Sequence, residues 1–177
     1  MKKTLITLLL ITTALMSSFA GANTSLAKNK NNVSVLFIQI ADKGMLTPMP
    51  HKPGYYQLKL TGVKEYIQFF TDRPTRVAGI YPTKKFLQKW EDGTSTTSFN
   101  KMPPNAALSA VEVRVLKNKM VNTVLQLSAP SYNAKQGTLT YTARTLNGDA
   151  SPIPQRKFKN IALFIDNYCA SCTGHGF

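Results

Sequence analysis

From Val33 onward the chain is made of short apolar or alternating stretches, each soon interrupted by proline, glycine or asparagine. Such stretches form strands, and many short strands bury their apolar faces only against a second sheet or in a closed barrel. VSVLFIQI (33–40) is β-branched and nearly continuous in apolarity, which suits a strand buried on both faces. YYQLKL (55–60), EYIQFFTD (65–72), VAGIY (77–81) and TLTYTART (138–145) read as further strands, and KNIALFID (159–166) closes the series. In LSAVEVRVL (108–116), Val111, Val113 and Val115 are expected on one face, with Glu112 and Arg114 on the other. Lys117-Asn118-Lys119 is expected to turn this strand tightly into LKNKMVNTVLQLSA, with Asn118 at positive φ.

A single segment has helical spacing. In YPTKKFLQKWEDG the apolar residues Phe86, Leu87 and Trp90 recur on one face, with Pro82 or Thr83 placed to start the helix and Gly93 to end it. ADKGMLTPMPHKPG (41–54) holds Pro48, Pro50 and Pro53 and is expected to be a long loop. GTSTTSFNKMPPNA, SYNAKQG and LNGDASPIPQRKF read as a loop, a turn and a proline-broken crossover. The expected fold is all-β, an antiparallel β-sandwich of seven to eight strands with one short α-helix at 83–92. Neither a β-α-β rhythm nor an internal repeat is present.

The first residues suggest a compartment. MKKTLITLLLITTALMSSFAGA has two lysines, an apolar run from Leu5 to Met16 and small residues ahead of a cut after Ala22. That is the pattern of a secretory signal peptide, too short to span a bilayer permanently. The competing reading, a retained amphipathic anchor, is disfavoured by the polar, Asn-rich flank. The expected organisation is a signal peptide (1–22), a flexible leader (23–32), one β-domain (33–168) and a cysteine-containing tail (169–177). The destination is the periplasm or the medium, and no later segment has the roughly 20 apolar residues of a transmembrane helix.

Charge then limits the partners. The chain carries 22 Lys and Arg against 8 Asp and Glu, for a net charge of +14. Loss of the signal peptide removes only Lys2 and Lys3, which leaves 20 basic against 8 acidic residues, a net charge of +12. Such a surface attracts an acidic glycan, anionic lipid head groups or an acidic protein. The basic residues are scattered in runs no longer than two, which argues against a dedicated nucleic-acid groove.

Three features invite a functional reading. In FFTDRPTRVAG (69–79), Asp72 and Pro74 suit a structural turn, and Arg73 and Arg76 offer planar forks for an anionic ligand. The favoured reading is the structural one, in which Asp72 and Arg76 pair across the turn. The strings FTDRPTRVAG, PPNAAL and NIALFID resemble a family of small exported bacterial proteins of unassigned chemistry. The resemblance runs from about Val33 to Asp166 and implies a shared fold and export, with no catalytic residues carried over.

The second feature is the tail, CASCTGHGF. In an exported chain Cys169 and Cys172 are expected to form a disulfide, whose short loop adds about 2 kcal/mol or less. The alternative is copper or zinc, held by Cys169, Cys172 and His175, with Met45, Met49 and His51 of GMLTPMPHKPG as further ligands if the two segments meet. A redox role lacks the helix N-terminus that lowers a thiol pKa. Third, Tyr55, Tyr56, Tyr66, Phe69 and Phe70 are expected to be mostly interior, the other reading being a stacking platform. Last, an enzyme is disfavoured. Two histidines, His51 and His175, supply few bases, and no H-E-x-x-H, glycine-rich phosphate loop or nucleophile elbow is present. A hydrolase with an atypical site is the remaining enzymatic reading.

Overall fold

The computed structural model describes residues 35–71, 76–91, 98–146 and 154–167. The elements are β1 (Val35–Pro48), β2 (Tyr55–Thr61), β3 (Tyr66–Thr71), β4 (Ala78–Pro82), α1 (Thr83–Glu91), β5 (Asn105–Glu112), β6 (Lys119–Asn133), β7 (Thr138–Thr145) and β8 (Arg156–Asn167). All pairings are antiparallel. The fold is therefore all-β with one short helix, as the alternation leads one to expect. Its two facing layers are opposite walls of a single sheet. Strands β1, β2, β7, β6, β5 and β8 pair in sequence and return to β1, closing a hydrogen-bonded ring. Closure leaves these strands without the open edges of a flat sheet.

β1 makes closure possible. Its first half pairs with β3, from Val35 opposite Thr71 to Ile38 opposite Gln68. Its second half pairs on the same side with β2, from Lys43 opposite Thr61 to Pro48 opposite Tyr56. A strand changing neighbours in this way must bend. Val35, Phe37, Gln39 and Ala41 are buried, but the buried phase then shifts to Gly44 and Leu46. The shift lies between the pairs Ala41–Ile161 and Lys43–Lys159, and Asn160 on β8 takes a positive φ of 51° there. At Gly44 the strands pack closely: a Cβ would stand 2.5 Å from Ile161 Cδ1 and 3.2 Å from Leu60 Cδ2, so a larger residue would require those side-chain ends to move. A second irregularity, between Ser128 and Ser131 on β6, places Ala129 at φ 45°.

Residues 41–48, expected as loop, thus belong to β1, and the turn is confined to 49–54. The first proline of the group, Pro48, is the last residue of the strand, while Pro50 and Pro53 fall inside the turn. The Met49 amide donates to the Tyr55 carbonyl (2.9 Å) to close it. At the other end of β6, Asn133 Oδ1 accepts from the Gln136 amide (3.2 Å), and Gly137 turns the chain at φ 55° into β7.

The β5–β6 hairpin exists, but in the opposite phase from that expected. Ala106, Leu108, Ala110 and Glu112 face inward, Val111 is half-buried, and Val113 and Val115 are exposed. A six-stranded ring has a narrow interior, which accepts alanine on one strand where leucine or tyrosine enters from others. Lys119 pairs with Glu112, so the connection is 113–118 rather than three residues, and Asn118 is not among the described residues with positive φ.

α1 covers one end of the ring. Its apolar face, Phe86, Leu87 and Trp90, is buried as the spacing predicts. Phe86 lies 4.7 Å from Phe37 between ring centroids, and Trp90 lies 4.9 Å from Phe99. The start of the helix hangs on the β2–β3 connection, with the Thr83 amide donating to Glu65 (2.8 Å) and its hydroxyl to Lys64 (3.0 Å). Gly93, the expected stop, lies outside the described residues.

Candidate functional site

The end of the ring remote from α1 is different in chemistry. Here the last residues of β1 and β7 meet the first residues of β6 and β8 around a cavity of about 350 Å³. Leu46, Leu125 and Phe158 form its apolar floor, Thr145 one side, and Lys119 and Arg156 its charged rim. This volume lies within the range of small-molecule pockets.

Glu112 organises the rim. It ends β5 with its side chain turned inward and nearly buried. Arg114 Nη2 and Nε donate to its Oε2 at 2.6 and 2.9 Å. Arg156 Nε stands 3.7 Å from Oε1. A carboxylate at the edge of an apolar interior needs such partners, because burying it alone costs far more than its surroundings return. Of the other acids with described side chains, Asp42 and Asp166 lie farther along β1 and β8 from this mouth, and Glu65 lies in the β2–β3 connection at the start of α1. Lys117, Lys119, Arg144 and Lys157 are exposed around or near it. Among the described residues, the mouth therefore has a cationic rim whose one nearby acid is already engaged.

The anticipated site residues are distributed elsewhere. Arg76 is exposed at φ 43° just before β4. It belongs to the β3–β4 connection, which leaves the barrel beside Val35, at the far end of β1 from Leu46. Asp72, Arg73 and Pro74 lie outside the described residues. What pins this connection is Thr71, whose amide donates to the Val77 carbonyl (2.7 Å) and whose hydroxyl accepts from the Val77 amide (2.7 Å).

Cys169, Cys172 and His175 also lie outside the described residues. Met45, Met49 and His51 fall on the end of β1 and the turn that follows. Met45 Sδ accepts from Gln155 Nε2 (2.8 Å), and His51 is exposed at φ 59°. Among the described residues no group of three or more His, Cys, Asp and Glu is placed to hold a metal. Of the aromatics, Tyr56 and Phe69 are buried and Tyr55 is half-buried. Tyr66 and Phe70, expected to be mostly interior with the others, are instead exposed on the outer face of β3, alternating with buried Ile67 and Phe69.

Glu112, Arg114 and Arg156 were not anticipated as a group. The available signal was phase. Ala106, Leu108 and Ala110 alternate in step with Glu112, so an inward alanine–leucine face carries the acid inside. No family model, curated protein or solved structure matches the chain. Among the described residues no helix is long and apolar enough to cross a membrane.

Proposed function

We propose that this is an exported protein that works by binding rather than by chemistry, and that its partner is anionic. An acidic glycan, an anionic lipid or an acidic protein supplies the required charge. The observation that carries the reading is the pairing of Arg114 and Arg156 with Glu112 beside a cavity rimmed by Lys119 and Arg156. That arrangement holds a planar donor at the mouth in a fixed orientation, and the net charge of +14, or +12 once Lys2 and Lys3 are removed with the signal peptide, draws anions toward it.

Retention on an immobilised sulfated polymer, followed through a salt gradient, tests this. Binding that falls steeply with ionic strength supports the reading, because exposed charges act only within a screening length of about 10 Å at 0.1 M salt. A salt-independent response, or none at the lowest ionic strength, refutes it.

A further inference from the structure

The segment joining β5 to β6 names the partner more narrowly, and the inference rests on the anionic-partner reading. Val115 and Leu116 are 103% and 99% exposed, Met120 79% and Val113 47%. Large apolar side chains held wholly in water are unfavourable, and none of these four belongs to the buried core. Val124, farther along β6, and Leu146 are also exposed, and a backbone hydrogen bond of 3.5 Å joins them. Between the apolar residues stand Arg114, Lys117 and Lys119, and the adjacent acid, Glu112, is turned inward onto its arginines.

Alternation of exposed apolar side chains, two of them fully exposed, with cations suits a partner with two phases. An acidic glycan meets the ammonium groups but offers nothing to side chains projecting from a tip. The surface of an anionic bilayer offers both, with phosphates at the level of the charges and acyl carbon just beneath.

We infer that residues 113–120 form a membrane-docking tip, with Val115, Leu116 and Met120 entering the headgroup–acyl boundary of an anionic bilayer while Lys117 and Lys119 engage its phosphates. Met120 and Lys119 also line the cavity, so docking sets the mouth of the ring against the lipid. No spanning segment is involved.

Co-sedimentation with vesicles of phosphatidylglycerol and phosphatidylcholine, compared with phosphatidylcholine alone, tests the inference, with binding to heparin measured in parallel. The protein binds the anionic vesicles, and the double variant Val115→Ser/Leu116→Ser binds them about tenfold more weakly. The same variant keeps its heparin binding and its Tm, because both side chains lie outside the core. Equal vesicle binding by variant and parent overturns the inference. So does a parent that binds heparin but no vesicle, an outcome that leaves the broader reading standing. Failure to bind either overturns both.

Discussion

Arg114 donates two hydrogen bonds to one oxygen of Glu112, at 2.6 and 2.9 Å, and so converts an inward-facing acid into part of a cationic rim. Two opposite effects of Glu112→Gln follow. The amide loses its charge-assisted bonds and leaves two guanidinium groups without a counter-ion, so stability falls by about 1–3 kcal/mol. The rim gains a positive charge, so retention on an anionic polymer extends to higher salt. Denaturant unfolding and the salt-gradient elution of the same preparation check the two together. Loss of stability with unchanged elution means that the pair is only structural.

Trp90 carries the helix into the ring, lying 5.5 Å from the Tyr141 ring and 5.9 Å from Phe86. Its side chain is almost wholly buried, and a helix of nine residues does not persist in water without such packing. Trp90→Ala is expected to cost about 3–5 kcal/mol. Equilibrium denaturation measures it, and a loss near zero shows that α1 is not needed to close its end of the barrel.

Tyr141 lies deep in the same interior, and its hydroxyl has no hydrogen-bond partner among the described residues. Burial pushes its phenol well above the ordinary value of 10.0. Below about pH 10 the phenol is neutral in both states and adds no pH dependence. Above that, the unfolded chain ionises while the folded one does not, so stability falls by up to about 1.4 kcal/mol per pH unit. Tyr132, raised by burial and then by the charge of Glu65, acts in the same direction. Tyr141→Phe removes an unmatched polar atom. It should leave stability at neutral pH unchanged or raise it by about 1 kcal/mol, and flatten the alkaline limb. Thermal melts from pH 7 to 11 decide. A destabilised variant at pH 7 shows that the hydroxyl has a partner.

Much of the architecture was legible because local pattern and final burial agree. In β3, Ile67 and Phe69 are inside while Tyr66 and Phe70 are outside, and β7 keeps the bounds that its alternation implies. Residues 41–54 read as a loop because three prolines fall among them, whereas the ladder depends only on which donors are lost. Closure of the ring was not legible. It depends on β1 pairing with β2, β3 and β8, relations that no window of the sequence contains.

The site was less legible than the fold. In NAALSAVE and the residues after it, two apolar sets lie out of phase, and valine is the larger and more β-prone. The narrow interior took the alanine set instead, and the acid came with it. Arg156 comes into play only through β8 pairing with β5, which sets Phe158 opposite Glu112. The cysteine tail and the Asp72-Arg73-Pro74 turn, distinctive in composition, fall outside the described residues.

Location of the binding charge is decided by two charge reversals of equal size. Lys117→Glu/Lys119→Glu alters the mouth, whereas Lys59→Glu/Lys135→Glu alters exposed lysines on β2 and in the turn before β7. Each changes the net charge by the same amount. If the mouth is the binding surface, the first variant leaves an anionic matrix at much lower salt than the parent, and the second elutes close to it. Equal shifts for the two variants would mean that anions are held by diffuse charge alone, and that the mouth of the barrel has no special part in binding.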